Sequence, residues 1–537
     1  MSAPVDETGR PSPRPIAPRR TGGAAAIVSA GIMVSRLFGI VRQSLMATYL
    51  GATGVADAFQ AAFKITNTIQ NLFGEGALST SFIPVYSRLI EKGDDEEARR
   101  VASAVGAVLC VVVSVLVLVC ILATPLLIPL IAKGFEPARR QLTITYTRIL
   151  FPGAGIFVIS AWCLGIQNSH RKFLLPYLAP VLWNVAMIVT LLWAGPRQGP
   201  SDLAVTLAWA SVLGAALQFG IQVPSTLRLV NGFRLTLGLG SPNVRTVMRN
   251  FGPAFVARGV VQFSSYIDNW LASYLPLGMV ATFGYASAII YLPVSLFGMA
   301  IAAAELPEMS RAIGDETEIA TYLRGSLARG LRRIAYFVIP SAAAFLAFGD
   351  LLARLLFQHG KFSATDSRYA WGILAGASVG LLATTMGRLY SSTYYALHDT
   401  KTPLRFAIVR VILTTVLGYL FALTLPRLLG IDPHWGAAGL TASAGIAGWI
   451  EFALLRSRLN RRIGVTGVPA RFVASLWGSA GLAVAAGWGM RMLAAGESRF
   501  VGPVLVIGTY GVVYLGMTVA LGIPEARTVV DRIRRRN

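Results

Sequence analysis

Residues 35–89 read SRLFGIVRQSLMATYLGATGVADAFQAAFKITNTIQNLFGEGALSTSFIPVYSRL. The run is apolar enough for a bilayer, yet it carries Arg36, Arg42, Asp57, Lys64 and Glu75. An ionisable side chain at membrane depth costs at least about 2.5–3.5 kcal/mol, so such residues normally face a polar cavity or an opposite charge. The first alternative implies a transport pathway. The second implies structural pairing between the first two helices, for example Arg42 with Asp57.

Composition supports the membrane setting. Hydrophobic residues make up 54% of the 537, charged residues only 14%, and the mean hydropathy is +0.60. Soluble domains carry roughly 25% charge. The formal net charge of +23 could suggest nucleic acid. The basic residues instead fall between apolar runs, where they orient helices and meet anionic lipid. Cys110, Cys120 and Cys163 lie inside apolar segments with no metal or disulfide spacing, and His170, His359, His398 and His434 are scattered. No metal, no cofactor and no enzymatic nucleophile–base pair is expected.

A spanning helix needs about 20 mostly apolar residues. By that measure about fourteen spans are expected, in an all-α polytopic membrane protein. They fall near 24–49, 55–85, 99–131, 140–166, 173–195, 202–225, 250–275, 278–305, a ninth ending near 356, then 367–396, 403–425, 435–455, 472–494 and 500–522. With an even count, most Lys and Arg fall on the face carrying both tails, which is the positive-inside pattern. Residues 1–22 read as a disordered basic cytoplasmic tail, and 524–537 as a second one.

An internal repeat is visible. Tyr49-Leu50 and Val55-Ala56 recur as Tyr274-Leu275 and Val280-Ala281, an offset of 225. Leu72-Phe73-Gly74 recurs as Leu296-Phe297-Gly298, and Pro84 with Ser87-Arg88 as Pro307 with Ser310-Arg311. An even number of spans between copies gives like-oriented halves, related by a pseudo-two-fold along the membrane normal, with substrate between them. The expected organisation is an N-lobe at 23–228, a C-lobe at 229–456 and a two-helix appendix at 457–523.

Guanidinium is permanently charged, planar and forked, which suits phosphate. Arg36 and Arg42 are six residues apart, or about 120° around a helix, so both could border one wide cavity. An anionic, phosphorylated substrate is therefore expected. Later ionisable residues within spans are Arg148, Arg258, Asp268, Glu305, Arg388, Arg410 and Glu451. Arg258 is the expected cavity cation of the second half, while Arg388 and Arg410 could equally snorkel to the surface.

SRLFGIVRQSL, GATGVADAFQAAFKITN and LFGEGALSTSFIPVYSRL, with LFQHGKFSATD and YALHDTKTPLRFA downstream, resemble the MurJ (MviN) family, lipid II flippases of the MOP exporter superfamily. The resemblance implies a V-shaped pair of six-helix lobes around a cationic cavity. It also implies a groove, formed with the last two helices, for the undecaprenyl tail. Lipid-linked peptidoglycan precursor would move from the inner to the outer leaflet of the bacterial cytoplasmic membrane by alternating access, coupled to membrane potential or ions. A monomer with both termini in the cytoplasm is expected, with lipid II and membrane lipids as its partners and no nucleic acid.

By position, Arg36, Arg42 and Asp57 match the family's essential charged residues, and Glu75 matches the acid of its EG motif. Three positions depart. Gln43 stands where the family often has Asp, and Gln70 and Ala288 stand where it has cavity arginines. Arg258, with polar Gln70 and Gln262, is expected to compensate in part. Competing readings are an exporter of another polyprenyl-pyrophosphate glycan, a MATE-type drug or cation antiporter, which would favour acidic cavity residues, and a non-transporting scaffold.

Overall fold

The computed structural model describes residues 22–232, 240–309, 315–494, 496–498 and 500–534. The chain forms α1 (Gly22–Leu50), α2 (Gly54–Ile69), α3 (Ser79–Ser81), α4 (Ile83–Glu91), α5 (Asp95–Ile131), α6 (Pro137–Ser169), α7 (Leu174–Ala194) and α8 (Pro200–Val230). It continues with α9 (Pro242–Ala272), α10 (Met279–Pro293), α11 (Ala300–Met309), α12 (Glu316–Phe357), α13 (Ala364–Ala396), α14 (Lys401–Tyr419), α15 (Leu425–Leu428) and α16 (Gly436–Ile463). Last come α17 (Ala470–Leu493), α18 (Val501–Ala520) and α19 (Pro524–Arg534). No strand occurs among the described residues.

Eleven helices among the described residues are long and apolar enough to cross a membrane, against the expected fourteen. Helices α1, α2 and α9 lie outside that set. At 1.5 Å per residue, the 29 residues of α1 and the 31 of α9 have the length to span, but α2 stops after 16.

The two copies of the repeat share a local irregularity. Helix α2 runs into a π-helical segment at Gln70–Leu78, and α10 runs into one at Val294–Met299. These hold Leu72-Phe73-Gly74 and Leu296-Phe297-Gly298 respectively. A π segment widens the helix by one residue per turn and is common at functional positions. Ser310 and Arg311 of the second copy lie outside the described residues.

Packing follows what lipid permits. On α5, Val111, Val115, Leu118, Leu122, Leu126 and Leu130 are all exposed, a stripe at three- and four-residue spacing that meets acyl chains. Lipid supplies no hydrophobic drive between helices, so close approach relies on small residues and polar contacts. Helices α13 and α16 show this most directly. A Cβ placed on Gly380 would lie 2.1 Å from the Cα of Gly445, and Thr441 Oγ1 donates across the contact to the Ile373 carbonyl at 3.0 Å.

One lobe gathers α1 to α8, and α9 to α16 extend the chain into a second. Helix α9 belongs to both: it packs on the π segment after α2, on α3 and on α5, and also on α14 and α16. Helices α17 and α18 pair with each other and rest on α12. The face reached by the end of α1 is called distal, and the opposite one the entry face.

Candidate interlobe site

Helix α2 begins with Thr53 as N-cap, whose hydroxyl accepts from Ala56 N at 3.3 Å. That cap sets Asp57 in the first turn. The carboxylate does not turn to Arg42. Its Oδ2 accepts from Gly278 N at 2.7 Å and its Oδ1 from Ala281 N at 2.8 Å, at the start of α10 in the opposite lobe. Arg139 of α6 supplies the guanidinium, Nη1 to Oδ2 at 3.2 Å. Asp57 is 0% exposed, so the expected cavity placement does not hold in this structure. It caps a helix that its own lobe does not contain, satisfying orphan amides where the helix dipole favours negative charge.

Further bonds close the distal face around it. Tyr285 donates its hydroxyl to the Gly51 carbonyl at 3.1 Å. Lys361 N donates to the Thr48 carbonyl at 2.8 Å. Gly278 adopts φ +87, and a Cβ there would meet the Ala52 carbonyl oxygen at 2.3 Å. Only glycine lets the two turns approach so closely. On the entry face, Glu97 of α5 accepts from Ser241 Oγ at 2.5 Å and Asn243 Nδ2 at 3.1 Å, at the start of α9.

Arg42 is 7% exposed and has no carboxylate partner among the described residues. Its guanidinium sits 4.4 Å from the Trp183 ring centroid and 5.3 Å from that of Phe63. Nη1 reaches the Met187 sulfur at 3.9 Å, and Nε has no hydrogen-bond partner. A desolvated cation over an aromatic face gains about 2 kcal/mol, too little to repay burial of a charge alone. Beside it, Gln43 Oε1 accepts from Gln60 Nε2 at 3.0 Å. A neutral amide pair thus stands next to Arg42, and it supplies no counter-charge to the guanidinium.

Arg36 is exposed on α1 and forms no hydrogen bond or ion pair with a described residue. Gln70 is half-buried where α2 passes into the π segment. The backbones of Glu75 and Arg258 lie in the π segment and α9, but their side chains fall outside the described residues.

The wall of the second lobe carries charges that helix-by-helix reading left unassembled. Arg410 of α14 pairs with Glu451 of α16 at 3.1 Å. Asp268 of α9 has a buried Oδ1 without a partner among the described residues, and it lies within electrostatic reach of Lys64 of the first lobe and of Arg410. Arg388 of α13 is exposed and lies within electrostatic reach of Arg410 and Glu451. A chain of charge therefore runs from α2 through α9 to α14, α16 and α13. The sequence signal was the presence of these residues within spans; their convergence needed the fold. Among described contacts, nothing joins Arg36 to this chain.

Comparison with known proteins follows the same lines. The family described as "Lipid II flippase MurJ" has a sequence model that matches residues 46–506. A protein of Rhizobium meliloti named "Probable lipid II flippase MurJ" is 31% identical over 490 residues, 86% of each chain. One of the same name from Bdellovibrio bacteriovorus is 31% identical over 538 residues, covering 95% of this chain and 96% of its own. Among solved structures, "Lipid II flippase MurJ, inward closed conformation" superposes with a TM-score of 0.76 at 21% identity, over 92% of this chain and 98% of that one. An inward-facing multidrug resistance MATE family transporter of the MOP superfamily superposes with a TM-score of 0.66 at 18% identity, over 81% and 98%. These two likenesses concern the fold.

Proposed function

The chain belongs to the MurJ lipid II flippase family, and from that premise we propose how it handles its substrate. It is a multi-pass membrane transporter that flips lipid II, the peptidoglycan precursor. The observation that carries the reading is Arg42: a permanent cation, buried on Trp183 and Phe63 with no acid paired to it among the described residues. Such a group is tolerated when an anion visits it, and a pyrophosphate supplies two charges and several acceptors in the geometry of guanidinium. A cationic drug would be repelled from Arg36, Arg42 and Arg388.

In this reading the entry face is cytoplasmic, both termini lie there, and the bilayer is the bacterial inner membrane. Helices α1, the α2–π segment and α9 join the eleven apolar helices as spans, making fourteen. The headgroup enters between the lobes from the cytoplasmic side while the Asp57 contacts hold the distal side shut, and the undecaprenyl tail stays in lipid along α17 and α18. Alternating access then requires α10 to leave Asp57. Each hydrogen bond to that carboxylate contributes about 1.5–3 kcal/mol, so opening needs substrate binding, membrane potential or an ion to offset the loss. No cofactor is invoked, and a monomer suffices.

The test is rescue of cells depleted of their own flippase, with lipid II exposed on the outer leaflet as readout. Wild type should restore exposure and Arg42→Ala should not. Rescue of growth without lipid II exposure would overturn the assignment.

A further inference from the structure

A second polar site lies away from the lobe interface, at the distal ends of α12, α17 and α18. It is a cavity of about 380 Å³, within the range of about 300–1,000 Å³ usual for small-ligand sites. Its polar lining comes from Arg354, Gln358, Arg491, Glu497 and Ser498, with Pro503 on the apolar side.

These groups divide into a fixed pair and a set left open. Arg491 is held by Asp350 through two bonds, Nη1–Oδ1 at 3.3 Å and Nη2–Oδ2 at 2.7 Å, and its charge is spent there. The side chains of Arg354, Gln358 and Glu497 make no hydrogen bond or ion pair with any described residue. Ser498 Oγ accepts from Val501 N at 3.2 Å, which leaves its hydroxyl proton free to donate. Among the described residues, the cavity thus presents one uncompensated cation and one uncompensated anion that do not pair with each other. Two free donors, Gln358 and Ser498, lie beside them. Exposed apolar side chains adjoin the lining residues along α17 and α18: Met492 is 75% exposed, Leu493 82% and Val504 58%.

We infer that this cavity binds the zwitterionic headgroup of a phosphoethanolamine lipid from the distal leaflet. The phosphodiester sits on Arg354, Gln358 and Ser498, the ammonium on Glu497, and the acyl chains lie along the exposed apolar side chains of α17 and α18. Charge decides the class. An anionic headgroup satisfies Arg354 but leaves Glu497 facing a like charge. A quaternary ammonium carries no N–H for the Glu497 carboxylate to accept. A primary ammonium matches both ends, with each contact a charge-assisted hydrogen bond. The site is independent of the transport reading and would stand if the transported lipid were another.

The experiment is native mass spectrometry of the full-length protein. It is titrated with phosphatidylethanolamine, phosphatidylglycerol and phosphatidylcholine of identical acyl chains, and separately with soluble phosphoethanolamine and inorganic phosphate. Wild type should retain phosphatidylethanolamine about fivefold or more over phosphatidylglycerol, the factor expected of one charge-assisted bond at a half-open site. Glu497→Gln should bring phosphatidylethanolamine down to the phosphatidylcholine level and leave phosphatidylcholine unchanged. Arg354→Gln should weaken all three. The inference is overturned if wild type shows no preference for phosphatidylethanolamine, if Glu497→Gln leaves that preference intact, or if millimolar phosphate alone displaces the lipid. Because the two variants act on opposite ends of the headgroup, one remains informative if the other fails to fold.

Discussion

The carboxylate of Asp57 accepts hydrogen bonds from the amides of Gly278 and Ala281 at 2.7 and 2.8 Å, across the boundary between lobes. At the repeat offset of 225, Thr282 takes the place of Asp57 in the second copy. One turn of the repeat therefore caps the other, and the acid exists in only one of them. Asp57→Asn keeps the shape but leaves a single acceptor oxygen for two amides and Arg139. We expect the distal contact to weaken by about 1.5–3 kcal/mol for each bond lost to the charged group. Spin-label distances across the two turns should broaden toward an opened population, and lipid II exposure should drop at least tenfold. An unchanged distance distribution with full activity would separate this contact from transport.

Arg42 tests whether charge or planarity matters. Arg42→Lys retains the charge but loses the stacked, forked face over Trp183. Transport should fall nearly as far as in Arg42→Ala, while Trp183→Phe, which keeps an aromatic face, should retain most activity. Equal activity of Arg42→Lys and wild type would reduce the site to a point charge.

The Arg410–Glu451 pair spans α14 and α16, with side-chain exposures of 38% and 12%. Removing one partner from a fully buried pair costs about 3–5 kcal/mol. Exposure of Arg410 to solvent screens this one, so Glu451→Gln should cost about 1–2 kcal/mol and lower the melting midpoint by a few degrees. The exchange Arg410→Glu with Glu451→Arg should recover the midpoint. Transport should stay low in the exchanged protein, because the cation has moved away from Asp268 and Arg388.

Gly380 lies where α13 and α16 cross, with no room for a Cβ beside Gly445. Gly380→Val must push the helices apart. Overpacking costs typically about 1–3 kcal/mol, and thermal unfolding in detergent should show a loss at the upper end of that range. Gly387→Ala on the same helix meets nothing within 4 Å and should hold the midpoint or raise it slightly, since alanine favours the helix over glycine.

On the entry face, His170 follows the end of α6 and meets the Tyr86 hydroxyl at 3.1 Å, tying α4 to α6. Burial holds its imidazole below the ordinary value, Lys172 lowers it further, and Asp95 pulls the other way. A depressed value means the folded state prefers the neutral ring. Its contribution is present above the unfolded value of about 6.5 and is lost as pH falls through the lower folded value. Hydrogen exchange over residues 83–94 should therefore quicken between pH 7.5 and 5.5 in wild type. His170→Gln, which cannot take up the proton, should show no such dependence once intrinsic exchange is corrected.

The sequence alone determined the membrane setting, the helical class, the paired repeat and the family. The reasons are local: apolar run length, loop charge and the ordered motifs between Ser35 and Leu89. It also named most of the charged residues that matter. What it left open was which charge meets which. Arg42 and Asp57 share neighbouring helices, so pairing them was reasonable, yet each found a partner outside that hairpin. Asp57 is drawn to α10 because unpaired amides at a helix start bind a carboxylate with no second side chain needed. Arg42 is left to Trp183 because Gln43 and Gln60 satisfy each other. The assembly of Asp268, Arg388, Arg410 and Glu451 depends on four helices brought together by close glycine contacts, Gly380 against Gly445 and Gly418 against Leu271 and Leu440. Distances between helices are set by packing over the whole lobe, and no stretch of residues carries that information by itself.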